Sequence, residues 1–118
     1  MLLIELPWPD SILSPNSRAH HMARAKAARE ARAWARTMMQ AEFTNLKMPY
    51  QDNGNIPLSF TFCFPDARER DSDNLNSMMK AARDGIADAL GINDSRFWPT
   101  KQLRGPQVDG GAVIARIG

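Results

Sequence analysis

Between residues 58 and 90 the hydrophobic period changes once, from two to about three and a half, so a strand must lead through a charged loop into a helix. Leu58, Phe60, Phe62 and Phe64 alternate with Ser59, Thr61 and Cys63, which places the large side chains on one face of a strand over 58–64. Leu75, Met78, Met79, Ala82, Ile86, Ala89 and Leu90 then recur at helical spacing. They predict one continuous helix over 74–90, with Gly91 as its stop.

The remaining elements are weaker but ordered. Residues 2–6 read as a short strand ended by Pro7-Trp8-Pro9. Residues 21–43 read as a helix whose packing stripe is Ala27, Ala31, Trp34, Met38 and Ala41. On that helix Arg29, Arg32 and Arg36 fall within an arc of about 60° nearly opposite the stripe. Residues 49–57 form a turn-rich connection. A strand is predicted over 97–103, then a turn at Asp109-Gly110-Gly111 and a return strand over 112–117. The order β-α-β-α-β-β gives an α+β fold with two helices packed on a small mixed sheet. A chain of 118 residues suits one core, so residues 1–118 are expected to form a single domain. Trp8, Trp34 and Trp98 are expected in the core.

Several classes are set aside. Nothing approaches the roughly 18 apolar residues of a membrane span. The start Met1-Leu2-Leu3-Ile4-Glu5-Leu6-Pro7 has an acid and a proline where a signal peptide is basic and then apolar, which leads us to expect a cytoplasmic protein. A single cysteine closes no internal disulfide, and Cys63 has no nearby His to activate it. With one Cys and two adjacent His, zinc is a poor fit. No Gly-rich phosphate loop precedes either helix, so no nucleotide cofactor is expected.

Charge is unevenly spread. Residues 18–36 carry six basic side chains (Arg18, Arg24, Lys26, Arg29, Arg32 and Arg36) against Glu30 alone, while residues 66–94 hold seven of the 13 acids. Enzymes that use metal ions on nucleic acid need both, since cations attract phosphates and carboxylates hold a metal at the reacting one.

The stretch Arg68-Glu69-Arg70-Asp71-Ser72-Asp73-Asn74-Leu75 joins the strand to the helix. An Asp-x-Asp pair in such a loop suits Mg²⁺, which takes one or two carboxylates and completes its shell with water and phosphate oxygens. Taken alone, the same acids more commonly serve as a helix N-cap. A calcium loop counted from Asp71 needs Gly and Glu where this chain has Asn76 and Ala82. On a continuous helix Lys80 lies within about 20° of Asp73, where it can meet a substrate phosphate or pair with Asp84 one turn on.

These residues resemble the RusA family of Holliday-junction resolvases. The resemblance runs through nearly the whole chain: Leu6-Pro7-Trp8-Pro9 with Ser14-Pro15-Asn16, the basic helix, the aromatic strand, Arg70-Asp71-Ser72-Asp73-Asn74-Leu75, and Gly91-Ile92-Asn93-Asp94-Ser95. It implies an endodeoxyribonuclease that binds Mg²⁺, with Mn²⁺ as a possible substitute, and acts as a homodimer nicking opposing strands of a four-way junction. Asp71 and Asp73 match that family's first two metal-binding acids, and Asp94 matches its third. Two departures stand out. Members commonly have two acids where this chain has Asn93-Asp94, and in the best-known members the functional lysine falls at the position of Ser77, one turn before Lys80. Arg29, Arg32, Arg36, Arg68, Arg70 and Asn16 would contact the DNA backbone, and a cut placed symmetrically on a junction needs a C2 dimer. A branched-DNA-binding protein without catalysis, or a nuclease for flaps or RNA, are the alternatives.

Overall fold

The structure, a computed structural model, describes residues 1–43, Tyr50 and residues 52–118. Part of the turn-rich connection expected over 49–57 therefore lies outside the described residues. Four strands form one mixed sheet: β1 (Leu2–Pro7), β2 (Ile56–Cys63), β3 (Phe97–Arg104) and β4 (Ala112–Ile117), in the order β1-β4-β2-β3. The helices are α1 (His21–Ala41), α2 (Ser72–Met78) and α3 (Lys80–Leu90). Short 3-10 turns, Ser11–Leu13 and Asp94–Arg96, precede α1 and β3. The α+β architecture expected from the periodicities is present, with three helices among the described residues in place of two.

β4 does not fold back on β3. It runs antiparallel between β1 and β2, while β3 lies parallel to β2 on its other side. The segment from β3 crosses the end of β2, held by the Gly105 N–H donating to the Phe62 carbonyl and the Val108 N–H to that of Phe64. Gly110 and Gly111 then turn the chain at φ of 75° and 71°, a region that side chains disfavour. Pro7 is tolerated at the end of β1 because β1 is an edge strand.

Ile4, Leu6, Leu58, Phe60, Phe62, Val113, Ala115 and Ile117 are buried and join Leu75, Met79, Ile86 and Leu90 of the helices in one cluster. Alternate strand residues (Leu3, Glu5, Ser59, Thr61, Arg116, Lys101 and Leu103) are exposed or half-buried, and no described helix covers that face.

Two expectations about the helices need correction. The helix over 74–90 is broken at Met79, whose backbone (φ −91°, ψ 0°) closes α2 by donating to the carbonyls of Asn76 and Ser77. Leu75, Met79, Ala82 and Ile86 are buried on both sides of the break, so the apolar period runs through it unchanged and conceals it. α1 is also rotated relative to its predicted stripe. Ala35 and Met39 are its fully buried residues, against α3, whereas Trp34 is 54% exposed. Trp98 is 67% exposed as well. Of the three tryptophans only Trp8 packs as expected, edge-on to Phe62 and Phe64.

Candidate functional site

Asp71 occupies the N-cap of α2. Its backbone is extended, and its Oδ1 accepts from the N–H groups of Asp73 (2.8 Å) and Asn74 (3.2 Å), two donors that have no partner within the helix. Asp73 sits in the first turn of α2, exposed, with no hydrogen bond or ion pair to its carboxylate among the described residues. Asp71→Ala is expected to cost about 1 kcal/mol through the lost cap, while Asp71→Asn keeps most of it, because Asn caps as well as Asp. Thermal melts of the two variants check this.

The loop ahead of α2 is fixed by Arg70. Its guanidinium lies 5.2 Å from the ring of Trp8 and 5.3 Å from that of Phe64. It donates to both carboxylate oxygens of Asp66, at 2.9 and 3.1 Å, and to the Arg68 carbonyl. Hydrogen bonds from Arg70 and then from the Arg68 N–H hold the Asp66 carboxyl at about 2. Arg70 is thus a clamp on its own loop, and Arg68 is the exposed cation of the pair. An open groove of about 510 Å³ runs beside this loop, lined by Trp8, Ser11, Ser14, Arg68, Asp71 and Asn74 among others.

A second polar cluster forms around Lys80. Its Nζ donates to Asp84 Oδ1 at 2.7 Å and to Asp94 Oδ2 at 3.0 Å, bringing together two elements 14 residues apart. The hydrogen bond from Lys80 lowers the Asp94 carboxyl, and the bonds to Asp84 and then Asp94 raise the Lys80 amine. Asp94 opens the 3-10 turn that Asn93 caps, its side chain accepting from the Ser95 N–H at 2.9 Å. The Asn93 departure from the resemblance is therefore a capping residue. Arg96, which sequence reasoning passed over, donates to the carbonyls of Gly54 and Tyr50 and so fixes this turn against the chain entering β2.

Of the three aspartates, Asp71 and Asp73 come together at the start of α2, while Asp94 is drawn to Lys80. Among the described residues no three of His, Cys, Asp and Glu are grouped closely enough to hold one metal ion. The Asp71–Asp73 pair still fits a cation that takes only one or two carboxylates, since Asp73 has no competing partner and Asp71 bonds the backbone through Oδ1 alone.

The basic residues of α1 divide. Arg32 makes a two-bond ion pair with Asp88, 2.6 and 2.8 Å, tying α1 to α3. That pair raises the arginine and lowers the Asp88 carboxyl. Arg29 and Arg36 are exposed, and Arg29 borders a second cleft with Ser77, Lys80 and Asp84. Asn16 is exposed in the loop before α1.

No family model matches this chain. It is 43% identical over 101 residues to an uncharacterized protein of Xylella fastidiosa, an alignment that covers 82% of this chain and 63% of that relative. No helix among the described residues is long and apolar enough to cross a membrane.

Proposed function

We propose that this chain is an Mg²⁺-dependent endodeoxyribonuclease of the RusA type that nicks four-way junctions as a homodimer, with Mn²⁺ as a possible substitute ion. The observation that carries the reading is the loop from Arg68 to Asn74: an exposed arginine and a capping aspartate line an open groove, and an unengaged, exposed aspartate stands two residues further on in the first turn of α2. A polyanion approaching this groove meets Arg68 first, with Arg29 and Arg36 on α1 adding positive charge. A cation bound at Asp71 and Asp73 would supply a more acidic water and neutralise charge on the phosphate. Lys80, beside the second cleft, is the cation available to a neighbouring phosphate once it leaves Asp84 or Asp94.

A second reading, a branched-DNA-binding protein without catalysis, is favoured by one observation, the pairing of Asp94 with Lys80 where no three such acids are grouped for a metal among the described residues. Incubating the protein with labelled four-way junction, linear duplex and RNA, with and without Mg²⁺, separates the two. Nicking confined to the junction and to the Mg²⁺ samples is the expected outcome. Junction binding without any nicking in either Mg²⁺ or Mn²⁺ would leave only the second reading.

A further inference from the structure

We infer that β3 is a binding strip for an unpaired stretch of DNA, with Trp98 stacking on a base and Lys101 meeting a neighbouring phosphate. The inference deepens the proposed function and rests on it for the choice of DNA over RNA.

β3 is the outer strand of the sheet beside β2, and after Phe97 every residue except half-buried Thr100 is exposed. Trp98, at 67%, is the most open large apolar side chain of the strand. The chain on either side holds it still. Arg96 donates to the carbonyls of Gly54 and Tyr50, Phe97 is buried in the core, and the Thr100 hydroxyl donates to the Phe97 carbonyl at 3.2 Å. With its backbone fixed and only two side-chain torsions left, the indole loses little freedom when a flat partner covers it.

Charge selects the partner. Residues 96–108 carry Arg96, Lys101 and Arg104 and no acid. Arg96 is engaged as described, and Arg104 lies 4.2 Å from the Phe64 ring and 3.7 Å from Glu69. Lys101 is exposed and makes no ion pair among the described residues. Three residues along a strand from Trp98, its backbone is within about 10 Å, so one short length of polynucleotide reaches both. Trp34, also widely exposed, borders two clefts whose charged lining residues are Asp10 and Glu30, which repel a polyanion. A protein strand adding to the free edge of β3 is opposed by Pro99, which has no N–H to share, and by the charge of Lys101.

A base inside a duplex is already stacked, so the indole takes a base that has come unpaired, as at a branch point. Trp98 follows Asp94 by four residues, which keeps their Cα atoms within about 14 Å. At about 3.4 Å per nucleotide, the stacked base is within about four nucleotides of a phosphate held at Asp94.

Titrating the full chain, without divalent metal, into an oligothymidylate that carries one 2-aminopurine tests this through quenching of the labelled base. Wild type should bind and quench. Trp98→Ala should raise Kd at least fivefold, the low end for losing one stacked aromatic, and abolish the quenching, while Trp98→Phe keeps most of both. Both Trp98 and Trp34 are exposed, so neither change empties the core, and Trp34→Ala should behave as wild type. Lys101→Ala should reduce the slope of log Kd against log salt by about 0.7. Affinity for linear duplex should be the same in wild type and Trp98→Ala. A wild type that leaves the oligonucleotide unbound, a Trp98→Ala protein that binds it equally well, or equal losses on single strand and duplex overturns the inference. So does displacement of the oligonucleotide by polyglutamate, which would reveal a surface that reads charge alone, or tighter binding of an oligouridylate. Failure of the nuclease reading looks different. Trp98-dependent quenching by a protein that nicks no junction in Mg²⁺ or Mn²⁺ leaves the strip standing and removes the reaction, and nicking by a protein whose single-strand binding ignores Trp98 does the opposite.

Discussion

Gly85→Ala is expected to destabilise this protein by about 3 kcal/mol, the upper end of the usual range for overpacking. A Cβ at Gly85 would stand 2.2 Å from the Arg32 carbonyl oxygen, 3.0 Å from its carbon and 3.1 Å from the Ala35 Cβ. The obstacle is the backbone of α1, so no rotamer change relieves it and the two helices must separate. Separation pulls Ala35 and Met39 off α3 and stretches the Arg32–Asp88 pair, whose two bonds are already short at 2.6 and 2.8 Å. Alanine's better helix propensity returns at most about 1 kcal/mol. Against a total stability of roughly 5–15 kcal/mol the loss is large. It should lower the melting temperature by on the order of 10 °C. A melt within about 2 °C of wild type would show that the helices do not approach as closely as described.

The same helix contact shows what the sequence could and could not convey. Strand periods were legible because one sheet face is buried and the other is not: Leu58, Phe60 and Phe62 are at most 2% exposed, while Ser59 and Thr61 are half-buried. The strand at Ala112–Ile117 and the paired Gly110-Gly111 turn were legible for related reasons. Which strand β4 pairs with was not, because local pattern carries no information about order in the sheet. On α1 the apolar arc spans both Trp34 and Met39, and nothing in the helix itself says which edge of the arc the core takes. Gly85 was the missing signal: a glycine inside a helical stripe marks close packing, and that packing turns α1 toward Ala35.

At the candidate site one short-range pair was legible in the sequence, and the grouping around it was not. Asp71 and Asp73 adjoin because they are two positions apart at a helix start, a short-range relation. Whether Asp94 joins them depends on how α3 returns the chain, and on the break at Met79, which shifts Lys80 off the continuous helix assumed for its angle. Lys80 instead reaches both Asp84 and Asp94. Asp84 was visible in the sequence only as an i,i+4 partner of Lys80; its contact to the same ammonium as Asp94 is a tertiary fact.

That division makes Asp73→Asn the sharpest test of chemistry. The substitution keeps size and leaves the Asp71 cap in place, because the cap uses the residue's own N–H. Loss of a negative charge in the first turn of α2 costs only about 0.3–1 kcal/mol through the helix dipole. Junction binding should persist, since arginines dominate contact with the phosphates. Nicking should fall on the order of 10²–10³-fold, the scale for removing one group that stabilises transition-state charge. Single-turnover nicking alongside a binding titration measures both, and an unchanged nicking rate would remove Asp73 from the reaction. Asp94→Asn in the same assay has a different meaning. Because Asp94 is engaged by Lys80, a loss as deep as that of Asp73→Asn requires Lys80 to release it when DNA and the cation arrive, whereas a mild loss assigns Asp94 to holding Lys80 in place.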